Sequence, residues 1–472
     1  MFNPDSPDTN EDRPSHVDRR AFLMRTAAAA GLSVAAPFQA LVDRSASSGV
    51  RAQGLGYGPL QPTNDETTGL PLLLLPAGFR YVSFGWTGDL LEDGTPTPGA
   101  HDGMAAFRMT RNFVRLIRNH ELGAGQNTFA PHVTYDPGAG GGTTTIEFDT
   151  RRGQVVRAFS SLSGTVRNCA GGPTPWGSWL SCEEALDAPS TGNDLTLPHG
   201  YIFEVPGSGQ PATAQPLVAM GRFTHEALAI DPDTGIVYET EDAGNNSGFY
   251  RFTPNQVGNL AAGGKLQMLG IQGQPQFNTR LNQTMGATYP AVWYDIAEPD
   301  RAHQPGTTNG QGVYRQGFTQ GAAAFGRLEG AWYGNGHIYF VSTSGGNAGR
   351  GQIWSYDTEA STLKLIFESP GAAVLDGPDN LCVTPRGGLV LCEDGGSGDG
   401  QFMHGLTVNG EIFQLCRNNV QLAGQRNGIT GDFRGSEFAG ATFSPDGQWL
   451  FFNIQTPGIT FALTGPWTNG AL

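Results

Sequence analysis

Short apolar runs separated by turns rich in Gly, Pro, Asn and Asp follow one another from about Leu70 almost to the C-terminus. Runs bounded by turn-forming residues predict β-strands joined as hairpins. Several share one pattern: a polar or acidic residue, an apolar strand, a turn, a second apolar strand and an acidic end. Glu226-Ala227-Leu228-Ala229-Ile230-Asp231-Pro232 is matched by Asp379-Asn380-Leu381-Cys382-Val383-Thr384-Pro385 and by Ala439-Gly440-Ala441-Thr442-Phe443-Ser444-Pro445, each opening six residues before a turn proline. The same spacing back from Pro175 lands on Cys169, and back from Asn335 it lands on Glu329; a looser copy runs from Asp102 through Phe113 to Ile117. Six residues after the turn glycine, the returning strands reach Glu183, Glu241, Glu393 and Asn453. Ser342 takes that place in the copy around Gly336, and Asn119-His120-Glu121 ends the first copy.

Further strands follow most hairpins, among them Gly200 to Val205, Phe249 to Phe252, Gln352 to Tyr356 and Leu363 to Phe367. A hairpin plus two more antiparallel strands, repeated six times, predicts an all-β six-bladed β-propeller over residues 51–472. The strand around Arg80 to Trp86 is expected to complete the last blade and remove its open edge. The Gly-, Pro- and Asn-rich stretch 265–319 breaks the repeat and reads as an insertion between blades.

Composition suits this reading, since 69 Gly and 31 Pro with only 15% charged residues fit short strands and tight turns. The formal charge is −15, and Lys265 and Lys364 are the only lysines, which argues against nucleic acid as a partner. A small phosphorylated substrate stays compatible if bound cations supply the positive field. The five cysteines, Cys169, Cys182, Cys382, Cys392 and Cys416, have no framework spacing, so at least one thiol is free. Residues 1–50 read as an export segment: Arg19-Arg20 precedes Ala21-Phe22-Leu23, and the apolar stretch Ala27 to Phe38 is too short to span a bilayer. This resembles a twin-arginine signal, which implies passage of a folded chain through the twin-arginine translocation machinery into the periplasm or medium. The rest of the chain predicts no membrane span.

In a propeller the first strand of each blade lines the central channel from one mouth, and the second strand returns to that mouth. Asp102, Cys169, Glu226, Glu329 and Asp379 are therefore expected near the axis. Glu121, Glu183 or Glu184, Glu241 or Asp242, and Glu393 or Asp394 are expected around them. So many carboxylates cannot share a partly buried mouth, all ionised, without cations. Carboxylate oxygens suit calcium, and a single thiolate adds a softer position suited to iron or zinc.

Asn119-His120-Glu121, Asn168-Cys169-Ala170-Gly171-Gly172 with Thr174-Pro175-Trp176-Gly177, and Cys182-Glu183-Glu184 occur in order. They are followed by Gly221-Arg222-Phe223-Thr224-His225-Glu226-Ala227, Pro378-Asp379-Asn380-Leu381 and Phe443-Ser444-Pro445-Asp446-Gly447. From about Leu70 to Trp467 the chain thereby resembles the PhoX-type alkaline phosphatases. The resemblance implies a six-bladed propeller in which an iron and calcium cluster hydrolyses the phosphate monoesters of small substrates; a monomer is expected. It places the cysteine ligand at Cys169, not Cys182, and glutamate ligands at Glu184 or Glu183, Glu226 and Glu329. The register adds Glu121, Glu241 and Asp379 as candidate ligands. Arg327 would hold the phosphoryl oxygens, Asn119 is a further catalytic candidate, and His120 and His225 would support the neighbouring Glu121 and Glu226. The family pattern has Pro between that arginine and glutamate, where this chain has Arg327-Leu328-Glu329. The rival readings are a calcium-dependent propeller lactonase or esterase, which needs no thiolate, and a non-catalytic binding module stiffened by metal.

Overall fold

Each expected hairpin forms in the computed structural model, which describes residues 55–472 apart from 127, 191, 303–311 and 397–399. The paired arginines and residues 1–50 lie outside the described residues. In chain order the hairpins are His101–Thr110 with Phe113–His120, Asn168–Pro173 with Ser178–Glu183, and His225–Ile230 with Val237–Glu241. Leu328–Gly334 with His337–Ser342, Pro378–Val383 with Leu389–Glu393, and Phe438–Phe443 with Leu450–Ile454 follow. All are antiparallel. Their turns are closed by short polar side chains, as where Asp231 accepts hydrogen bonds from the Asp233 amide and the Thr234 hydroxyl.

The hairpins carry the first two strands of larger sheets. The first and last continue into four-stranded sheets; in the last, Arg80–Phe84 from the N-terminal side pairs with Ile459–Thr464. The second makes a three-stranded sheet with Ile202–Pro206, and the fifth leads a six-stranded one. The third and fourth lie at opposite ends of a nine-stranded sheet, joined where Thr288–Asp295 pairs with Thr362–Glu368. The stretch 265–319 thus supplies sheet strands, Gly264–Ile271 and Thr288–Asp295, together with the helix Gly312–Gln320. The architecture is all-β and propeller-like. The leading strands of the hairpins neighbour one another in chain order, and the last neighbours the first.

Polar side chains stitch this inner circle. Asn119 donates its amide hydrogens to the carbonyls of Cys169 and Ala170, the Thr240 hydroxyl donates to the Glu329 carbonyl at 2.6 Å, and Asn453 donates to the Asp102 carbonyl at 2.6 Å. The strands approach so closely that only glycine fits at the crossings. A Cβ on Gly330 would lie 2.7 Å from the Asp379 carbonyl oxygen, and one on Gly103 would lie 2.6 Å from the Ala170 Cα. Outside the circle, apolar side chains fill the space between sheets, with Trp86, Trp179 and Trp354 fully buried.

Candidate metal centre

Six equivalent backbone hydrogen bonds close the hairpins at the same end. The amides of Glu121, Glu184, Asp242, Thr343, Asp394 and Gln455 donate to the carbonyls of Ala100, Arg167, Thr224, Arg327, Gly377 and Glu437. Two residues after those acceptors come Asp102, Cys169, Glu226, Glu329, Asp379 and Ala439. The leading strands therefore bring four carboxylates and one thiol into an inner ring. The residues just past the returning strands form a second layer over it.

Ligand atoms of four overlapping groups lie within 4.8 Å of one another: Asp102, Glu121 and Cys169; Cys169, Glu184 and Glu226; Glu226, Glu329 and Asp379; and Asp379, Asp394 and Glu437. A cavity of about 380 Å³ opens above them, lined also by Arg167, Arg327, Ser436 and Gln455. Asp102, Cys169, Glu226, Glu329 and Asp379 are all buried. Both carboxylate oxygens of Glu226 lack any hydrogen-bond partner, an arrangement that costs several kcal/mol for an ionised group unless a cation meets it.

The electrostatics say the same. Burial, and then the charge of neighbouring carboxylates, pushes the pKa values of Asp102, Glu226 and Glu329 well above the ordinary range. Asp379 is raised to about 7 by burial and by Asp394, and Glu184 to about 8, chiefly by burial. The Cys169 thiol, 3.5 Å from an Asp102 oxygen, is pushed up by burial and by the carboxylates Asp102 and Glu226. The donor set fits cations: several carboxylate oxygens suit a hard ion, and one thiol beside two of them suits a softer one.

Arg327 reaches this cavity even though Leu328 follows it. Its guanidinium donates to Asp242 at 3.0 Å and pairs with Glu329, from a backbone in the left-handed region (φ 43°). Arg167 pairs with Glu121 at 2.7 Å and with Glu184.

Several expected site residues stand elsewhere. Glu183 turns into the sheet, accepts from the amides of Val166, Gly200 and Tyr201, and shares a 2.6 Å hydrogen bond with His199. Glu241 accepts from the Gly248 amide and, at 2.5 Å, from the Tyr250 hydroxyl. Glu393 repeats the pattern with the amides of Asp376 and Phe402 and with His404. These carboxylates latch each returning strand to the start of the third strand and do not line the cavity. Asn119 is spent on the inner circle, since its carbonyl accepts from Trp179 and Ser181 while its amide holds Cys169 and Ala170. His120 bonds to Gly99 and Thr144, and His225 to Gly221, with Glu239 3.5 Å away. Both sit behind the ring.

The cavity gains a residue with no counterpart in the spacing rule. In the last hairpin that rule lands on Ala439, which offers no ligand, and Glu437 enters instead from two residues earlier. It stands two residues before Ala439, the register that Arg167 and Arg327 hold in their hairpins.

The model of the alkaline phosphatase PhoX family matches residues 55–458. Among solved structures, Pseudomonas fluorescens PhoX in complex with vanadate, a transition-state analogue, is 18% identical with a TM-score of 0.62, covering 89% of this chain and 99% of that one. XC5397, a gluconolactonase from Xanthomonas campestris, is 13% identical with a TM-score of 0.42, covering 88% of this chain and 100% of that one. A search of curated proteins finds no match.

Proposed function

The chain belongs to the alkaline phosphatase PhoX family and is a phosphoric monoester hydrolase; from that premise we propose that hydrolysis takes place at the acidic mouth, on iron and calcium held by its ring. The observation that carries this reading is the buried, unpartnered carboxylate of Glu226 at the centre of the ligand groups. Cys169 with Glu184 and Glu226 would hold iron, and Asp102, Glu121, Glu329, Asp379, Asp394 and Glu437 would share the calcium ions. Bound there, the ions would neutralise the phosphate dianion and supply Lewis acidity and an activated oxygen nucleophile.

The chain's own residues do the positioning. Asp242 and Glu329 hold the Arg327 guanidinium at the cavity wall, where its planar fork can take two phosphoryl oxygens and stabilise the charge that builds on them. The Gln455 amide donates to Glu121 at 2.6 Å and fixes that carboxylate in the outer layer. Latches at Glu183, Glu241 and Glu393 hold the strand ends so that the residues after them keep their aim.

The finer reading of the fold is six blades, the nine-stranded sheet being two blades joined edge to edge. Among the described residues no helix is long and apolar enough to cross a membrane. We infer a monomer, exported already folded through the twin-arginine route to the periplasm or medium. The test is elemental analysis of the purified protein beside a p-nitrophenyl phosphate assay with and without calcium. Iron with calcium and calcium-dependent turnover are expected. Calcium without iron and no phosphate release would overturn the reading in favour of a calcium lactonase or a binding module.

A further inference from the structure

Arg167 and Arg327 occupy the same place in two copies of the repeat. Each stands two residues before a ring residue, Cys169 in one case and Glu329 in the other. The carbonyl of each accepts the equivalent closing hydrogen bond, from Glu184 or from Thr343. Each backbone lies in the left-handed region, with φ 49° and 43°, and they are the two charged residues among the non-glycine residues described there. Long side chains rarely adopt that conformation, and it is kept where the surroundings enforce it. Both guanidinium groups line the same cavity.

They differ in depth. Arg327 is anchored on a ring residue, Glu329, and on Asp242 of the outer layer; Arg167 is anchored on Glu121 and Glu184, both of the outer layer. Side-chain exposure follows, at 38% for Arg327 and 47% for Arg167. A phosphoryl group seated on the ring would meet Arg327, and the organic part of an ester leaving by the cavity mouth would then pass Arg167.

We propose that Arg167 forms a subsite for a second anionic group on the substrate, so that the enzyme favours phosphate monoesters whose organic part carries a carboxylate or another phosphate. This rests on the phosphatase reading of the same cavity. The acidic walls make the subsite selective: a second negative charge is tolerated only where this guanidinium meets it, through a charge-assisted hydrogen bond.

The test compares 3-phosphoglycerate with glycerol 3-phosphate, which differ by a carboxylate in place of a hydroxymethyl group. In the metal-loaded enzyme, Arg167→Asn, a residue that tolerates left-handed backbone, should lower the ratio of kcat/KM for the two esters by roughly tenfold. Arg167→Lys keeps the charge without the fork, should lower the ratio less, and serves if the asparagine variant does not fold. Calorimetric binding of phosphonoacetate against methylphosphonate should shift in the same direction. An unchanged ratio in both variants, whatever happens to the absolute rates, overturns the assignment and leaves Arg167 a counter-ion for Glu121 and Glu184. Failure of the unmodified enzyme to hydrolyse glycerol 3-phosphate or p-nitrophenyl phosphate would instead sink the phosphatase reading, and this one with it.

Discussion

The carboxylates of the hairpins are of two kinds, equally buried and opposite in bonding. Glu183, Glu241 and Glu393 have their oxygens occupied by amides, a hydroxyl or a histidine. Glu226, buried to the same degree, has none. The first kind closes the polar requirements of a strand junction and contributes to stability. The second kind is left unsatisfied by the protein and raises the energy of the metal-free fold, a cost that cations at the mouth would remove. Burial and an open oxygen do not by themselves make a ligand, since Glu239 is equally buried, has both oxygens unpartnered and lies beside His225 outside the ligand groups. Glu226 differs in standing at the mouth among other donor atoms.

The largest effect should come from breaking the ring. Glu226→Gln is expected to lower kcat/KM for p-nitrophenyl phosphate by on the order of a thousandfold and to reduce bound metal, without lowering the melting temperature of the metal-free protein. Wild-type turnover with full metal content in this variant would place the centre elsewhere. Next comes the clamp: Arg327→Lys keeps the charge but loses the fork and should lower kcat by about a hundredfold, with metal content by elemental analysis unchanged. A loss of metal in that variant would make Arg327 a structural counter-ion.

The latch should behave in the reverse way. Glu183→Gln leaves amides and the buried His199 short of an acceptor, so chemical denaturation should show a loss of about 3 kcal/mol, while the folded fraction retains its metal. Loss of metal at full stability would return Glu183 to the ligand set.

The smallest effect is on pH dependence. Asp379 at about 7 and Glu184 at about 8 hold protons in the metal-free fold that the unfolded chain has released by about pH 5. Where the native state binds more protons, stability falls as pH rises, so the metal-free protein should lose melting temperature between about pH 5 and pH 8. The metal-loaded protein should not show this decline, because its carboxylates are already ionised against cations. Parallel curves for the two forms would show that the ring carboxylates are not the ligands.

Much of the ring is legible in the sequence. The spacing from turn proline to strand start located Cys169, Glu226 and Asp379, and the Asn-Gly turn located Glu329, because hairpins of equal length begin at one level. Glycines directly after Asp102 and Glu329 belong to the same grammar, since leading strands cross too closely there for a side chain. Harder to read was the choice within Glu183-Glu184, Glu241-Asp242 and Glu393-Asp394. Neighbouring residues on a strand face opposite ways, and a shift of one place exchanges latch for ligand. All of the leading strands carry a register irregularity near the mouth, so counting from the turn does not settle which neighbour faces the axis.

By itself, then, the sequence determined the number and level of the hairpins, through turn residues and apolar spacing that act within a few positions of the chain. Only the tertiary structure decided that Glu437 fills the place Ala439 leaves empty, that Asp242 aims Arg327 while Glu241 does not, and that Arg167 stands beside Glu121. Those relations join hairpins far apart in the chain, and they arise only when the leading strands close into a circle and bring their charges within a few ångströms of one another.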